Sequence, residues 1–249
     1  MLGMPTHYLR SLSGQQRRAD LNLNLARYLT FVAGAANAGG FLAVQQYTSH
    51  MSGIVASIGD NLALGHHQLV LASLLALLSF LAGAACTAIM VNWAKRKQLH
   101  SLFALPLVLE SLLLIGFGLV GSSVTTVMLL CFLMGLQNAL ITKISKTEIR
   151  TTHVTGIVTD IGIELGKLVY WNDPSLSQTE GMVLASREKM RALFSLLSLF
   201  LLGGIVGAFG FQKVGALFTI PLAALLLVLA IVPVWDDITH SFTQPRKSP

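Results

Sequence analysis

Two short segments hold most of the side chains able to do chemistry in this chain. Thr48-Ser49-His50-Met51-Ser52-Gly53-Ile54-Val55 returns, 103 residues later, as Thr151-Thr152-His153-Val154-Thr155-Gly156-Ile157-Val158, with five of eight positions identical and three of like chemistry. Ser and Thr followed by Gly, ahead of a periodic apolar run, read as a helix start. The hydroxyls of Thr48, Ser49, Ser52, Thr151, Thr152 and Thr155 are therefore expected to cap backbone N–H groups. A helix start carries about +0.5 of a charge and attracts anions. Gly53 and Gly156 leave room for a backbone or a ligand, and His50 and His153 are suited to binding a substrate, a metal or a proton in transit. A packing reading stands beside this one, because Ser, Thr, Gly and His also serve as ordinary contacts between membrane helices.

The match extends upstream, where Phe31, Gly34, Asn37 and Ala38 correspond to Phe132, Gly135, Asn138 and Ala139 once two extra residues are allowed. Asn37 and Asn138 thus recur at equivalent depths, and a buried amide needs partners, so both are candidates for pinning the halves or touching substrate. Downstream, Ile54, Val55, Ile58 and Leu62 pair with Ile157, Val158, Ile161 and Leu165, a spacing that marks one helix face. On the adjoining stripe, Ser57 and Asn61 answer to Asp160 and Glu164. Acids in apolar stretches are costly and tend to have a task, which singles out Glu110 and Asp160 for proton or ion coupling. Glu164 and Lys167 are spaced for a local ion pair. His66-His67 diverge on a helix, and no metal or other cofactor is expected.

The elements that must position these residues are set by composition. The chain has 249 residues, 53% hydrophobic and 11% charged; a soluble domain carries roughly 25% charged residues. The apolar residues come in blocks near 26–47, 69–93, 102–121, 124–142, 192–211 and 214–235, each close to the ~20 residues a helix needs to cross hydrocarbon. The stretches 52–65 and 155–169 are too short to cross alone and are expected as half-helices whose starts line a polar site. Basic residues gather at helix ends (Arg10, Arg17, Arg18, Arg27; Lys95, Arg96, Lys97; Lys143, Lys146, Arg150), whereas 121–124 has no charge. The net charge of +6 therefore points to topology and not to nucleic acid, and puts both termini in the cytoplasm. No cleavable leader is expected, and Cys86 and Cys131, inside apolar blocks, are expected as free thiols.

The fold class expected is an all-α integral membrane protein with six transmembrane helices. They form two inverted-topology three-helix repeats, each with an additional short half-helix. The expected divisions are a cytoplasmic segment 1–24, a first repeat 25–121, a second repeat 122–236 containing a cytoplasmic loop 170–191, and a tail 237–249 read as disordered. Three spans per half, an odd number, force the second copy to enter the bilayer in the opposite sense, a plan that recurs in secondary transporters. Pro106 and Pro221 are expected near the starts of the third spans, and Gly39-Gly40, Gly203-Gly204 and Gly207 at helix contacts.

The Thr48–Gly53 stretch, Gly135-Leu136-Gln137-Asn138-Ala139, and Thr151–Gly156 followed by Asp160 resemble the YoaK family of bacterial inner-membrane proteins of unknown function. The resemblance covers roughly 25–235 and implies a multi-pass protein of the bacterial inner (cytoplasmic) membrane. It carries over no ligand residue. The family's first motif continues Ser-Gly-Asn-Thr where this chain has Ser52-Gly53-Ile54-Val55, a departure that removes an amide and a hydroxyl from the candidate site.

These residues point first to a small secondary transporter or permease for a polar, anionic or neutral, solute bound between the repeats. The expected partners are the lipid bilayer, an unknown small solute and, as an open alternative, a second copy of the chain. A non-catalytic membrane scaffold or accessory subunit is the rival. An intramembrane metal-dependent enzyme ranks last, for the chain has neither His-Glu-x-x-His nor Gly-x-Ser-x-Gly spacing.

Overall fold

A computed structural model describes residues 3–14, 19–44, 47–120, 126–145, 152–172 and 182–243. Every regular element among them is helical: α1 (Gly3–Ser13), α2 (Ala19–Val44), α3 (Met51–Ala63), α4 (His67–Arg96), α5 (Ala104–Val120), α6 (Thr126–Ser145), α7 (Val154–Val169), α8 (Arg187–Val214), a 3-10 turn (Gly215–Phe218) and α9 (Thr219–Thr243). Three stretches are long and apolar enough to cross a membrane: His67–Arg96, Thr126–Ile144 and Arg187–Thr239. A shorter apolar helix spans Ala104–Leu119. The third stretch is broken at Gly215, whose φ of +61° is a left-handed conformation that side chains avoid.

Small residues on the inside and large apolar ones on the outside mark how these helices pack. On α4 the buried positions are Ser73, Ala76, Gly83, Thr87, Val91 and Ala94, while Leu71, Leu78, Leu81 and Ile89 are exposed. That is the distribution of a helix packed by close backbone approach in lipid and not by a greasy core in water.

Four helices share a Phe-x-x-Gly unit: Phe31-Gly34 on α2, Phe80-Gly83 on α4, Phe132-Gly135 on α6 and Phe200-Gly203 on α8. They are used reciprocally. Gly34 lies against the carbonyl of Phe200 and Gly203 against that of Phe31; Gly83 lies against the carbonyl of Phe132 and Gly135 against that of Phe80. No Cβ fits at any of the four without moving backbone. The first helix of each half therefore packs on the second helix of the other half.

Contacts also fix the helix directions. Phe31 meets Gly203 and Ala35 meets Gly207, so α2 and α8 run parallel. Phe132 meets Gly83, and Thr87 donates to the Leu136 carbonyl at 2.9 Å, so α4 and α6 run parallel as well. By contrast, Gln137 donates to the Leu29 carbonyl while Leu130 abuts Gly40, which makes α2 and α6 antiparallel. Ser111 donates to the Ala223 carbonyl and Thr219 to that of Leu114, so α5 and α9 are antiparallel too.

Several boundaries differ from expectation. The N-terminal segment forms α1, which Arg10 ties to Asp236 through a 2.7 Å hydrogen bond from its Nη2. For the same reason α9 continues beyond Trp235 to Thr243, where a disordered tail was expected. Asp237 also accepts the backbone N–H groups of His100 and Ser101, pinning the α4–α5 turn. Val55, Leu62, Val158 and Leu165 are exposed while Ile54, Ile157 and Ile161 are buried, so the apolar residues of each half-helix divide between two sides. Pro106 and Pro221 each sit at the third position of their helices, α5 and α9.

Candidate functional site

Each half turns back on itself to bring its motif to the middle of the bundle. After α2, the chain returns so that Ser49 donates to Asn37 Oδ1 from its hydroxyl (2.9 Å) and its backbone N–H (3.3 Å). After α6, Thr152 Oγ1 donates to Asn138 Oδ1 at 2.6 Å. These paired bonds staple each motif to its own first helix. The turn back to Asn138 brings Thr152 away from the Lys143 end of α6.

From the staples, α3 and α7 set out with the same geometry. Their N-caps are His50 (φ −96°, ψ 69°) and His153 (φ −84°, ψ 59°), and neither receives a side-chain cap bond. The expected hydroxyl capping is thus not what forms. Ser49 and Thr152 lie one residue before the cap, where their hydroxyls reach the preceding helix instead. The first three N–H groups of a helix have no partner within it. Those of Met51, Ser52 and Gly53, and of Val154, Thr155 and Gly156, find none among the described residues, whereas Ile54 and Ile157 already bond to the His50 and His153 carbonyls. Gly156 matters here because the His153 ring occupies the place a Cβ would take.

Both helix starts open on one cavity of about 730 Å³. Asn37, Ser49, His50 and Ser52 from the first half meet Asn138, Thr152, His153 and Thr155 from the second. Phe80 and Phe200, near the middles of α4 and α8, form apolar walls, with Tyr47, Met51, Thr142 and Val154 completing the lining. A second cavity of about 570 Å³, sharing Phe80, Asn138 and Thr142, extends toward Lys143. Among the described residues no Asp or Glu lines either space. The site offers hydrogen-bond donors and amphoteric hydroxyls set between aromatic walls.

The other singled-out residues lie outside this cavity. Thr48 is fully buried against Gly40, its hydroxyl without a hydrogen-bond partner among the described residues. Gly53 sits beside His50, and Thr151 falls outside the described residues. Glu110 is 1% exposed on α5, and its Oε2 has no partner among the described residues. Asp160 faces Lys189 on α8 at 3.6 Å. Its neighbour Glu164 pairs with Lys167 at 2.9 Å and accepts the Ser186 N–H at 2.8 Å, so these acids hold α7 to the start of α8. Cys86 and Cys131 are free. Among the described residues no cluster of His, Cys, Asp or Glu is arranged to hold a metal.

Phe80 and Phe200 are the lining residues that sequence reasoning missed. The signal was there: both stand three residues before a glycine, as Phe31 and Phe132 do. Their offset of 120 residues differs from the motif offset of 103, so a fixed-period comparison passes over them.

No curated protein matches the chain, and no solved structure does. Residues 25–232, which hold the cavity, both staples and all four Phe-x-x-Gly units, match the family described as "Protein of unknown function (DUF1275)", and the chain belongs to that family.

Proposed function

We propose that this chain is a small secondary transporter or permease of the bacterial inner membrane, with six spans in two inverted three-helix halves and a polar, anion-bearing solute held between them. Within its family, the resemblance to the YoaK proteins is the narrower placement we adopt. The observation that carries the reading is the convergence of two uncapped half-helix starts on one cavity halfway along α4 and α8. Broken helices that aim their positive ends at a site between repeats are how many carriers hold anionic groups without a buried cation. The antiparallel course of α2 against α6, and of α5 against α9, supports the inverted repeat. Basic residues at the inner ends support cytoplasmic termini. Glu110, buried and lacking a partner for Oε2 among the described residues, is the better of the two acids for coupling a proton to the cycle. Asp160 has Lys189 beside it at 3.6 Å.

The test is flux. Protein purified in detergent is screened for solutes that raise its melting temperature, then reconstituted into vesicles with each hit. Wild type is expected to move at least one stabilising solute, and the His50→Ala/His153→Ala double variant to lose most of that flux. Undiminished flux in the double variant overturns the role of the histidines. Absence of flux together with stoichiometric co-purification of one protein replaces the carrier with a scaffold.

A further inference from the structure

The two asparagines at the cavity make the same staple but spend their amide nitrogens differently. Asn138 Nδ2 donates to the Met134 carbonyl of its own helix at 2.9 Å, so both ends of that amide are committed. Asn37 commits only one end. Its Oδ1 takes both donors of Ser49, and this fixes the orientation of the amide, since a backbone N–H must face oxygen and not nitrogen. Its Nδ2 then donates to no described residue. Asn37 is only 9% exposed, and the space it borders is the cavity. A primary amide held this rigidly, with N–H groups that no described residue uses, is placed to donate to a ligand in the cavity.

Close by, the start of α3 offers the unpartnered N–H groups of Met51, Ser52 and Gly53, and His50 stands at its cap. Asn37, His50, Met51 and Ser52 all border the cavity, with Phe80 and Phe200 lining it as well. Among the described residues no carboxylate lines the cavity to welcome a cation. A volume of about 730 Å³ lies within the ordinary range for small organic ligands and is far more than a bare oxyanion needs.

We infer that the cavity binds a small organic carboxylate, its anionic oxygens on Asn37 Nδ2 and the α3 start and its apolar body between Phe80 and Phe200. The inference rests on the reading of this cavity as a solute site, and names the class of solute. The arrangement is one-sided. Both helix starts present N–H groups, but only the first half adds an amide donor, because Asn138 is satisfied internally while Asn37 Nδ2 is not used by any described residue. A carboxylate is preferred over inorganic phosphate because the aromatic walls have nothing to offer the latter.

Titration calorimetry on the purified full chain, with four probes of nearly equal size or charge, tests this: benzoate, benzamide, benzylamine and inorganic phosphate. Benzoate is expected to bind at least tenfold more tightly than the other three. In Asn37→Asp, which keeps an oxygen for Ser49 and replaces the amide donors by an acceptor, benzoate affinity is expected to fall at least tenfold, the size of losing a hydrogen bond to a charged group. Size-exclusion and melting profiles establish that the variant is folded; should it not be, Asn37→Ser gives the same reading with no added charge. Equal or tighter binding of benzamide, benzylamine or phosphate overturns the inference, as does benzoate binding indifferent to position 37, or no binding of any probe. Benzoate bound with the expected Asn37 dependence, but no flux in vesicles, leaves the inference standing and removes only the transport reading. Flux of a different solute, unaffected at position 37, does the reverse.

Discussion

The two half-helices begin alike and end differently. At the cavity, α3 and α7 share a His N-cap, a hydroxyl–asparagine staple and a first buried isoleucine. Farther along, α3 is held to α4 by a neutral pair, Ser57 and Ser73, which share a hydrogen bond at 2.8 Å, while Asn61 bonds the Ser57 carbonyl of its own helix. The equivalent positions on α7 are Asp160 and Glu164, and they dock on Lys189 and Ser186 at the start of α8. The two motifs share the geometry that shapes the cavity and differ in the attachments outside it. The fastening of α3 is therefore a matter of hydroxyls, and that of α7 a matter of charge.

The sharpest way to break the likeness is at the glycines both halves need. Gly34→Leu or Gly135→Leu forces backbones apart at equivalent contacts, and each is expected to cost about 3 kcal/mol or more. That loss is read as a lower melting temperature and aggregated protein on size exclusion. Gly116→Ala on α5, where an added Cβ meets nothing, is expected to be neutral or slightly stabilising. If all three behave alike, the reciprocal contacts do not hold the fold.

Cutting the staples tests the same likeness at smaller scale. Asn138→Leu leaves Thr152 without its acceptor and is expected to cost about 1–2 kcal/mol. Hydrogen exchange should quicken in 152–157 and stay unchanged in 49–54. Asn37→Leu should give the mirror result. Should either variant loosen both motifs equally, the staples are not independent.

The smallest effect sharpens the contrast. Asp160→Asn, or 1 M salt, is expected to quicken exchange in the C-terminal part of α7, because the exposed Asp160–Lys189 pair is screened. The end of α3 should not respond to salt. Ser57→Ala should reverse the pattern.

Much of this frame is legible in the residues themselves. Long apolar runs mark α4, α5 and α6 to within a few positions, and locate α8 and α9 with larger errors at their ends, since the demand for ~20 apolar residues is nearly independent of context. The His-containing repeat marks α3 and α7. What the chain does not advertise is partnership. That α2 seeks α8, and α6 seeks α4, rests on contacts between residues up to about 170 positions apart, and glycine carries no label naming its partner. Local rules also misassigned Ser49 and Thr152 as caps, because a hydroxyl near a helix start has two competing uses and tertiary structure chose the other. Likewise α1 is visible only once Asp236 is known to await Arg10.

The crossed pairing of helices has a consequence for biogenesis. Because α2 rests on α8, its glycine face meets no counterpart until roughly 140 further residues have left the ribosome. An emerging chain that stops after α5 displays two grooved surfaces with nothing to fill them. Severing the gene between the halves should therefore yield fragments that are degraded singly and rescued only when made together.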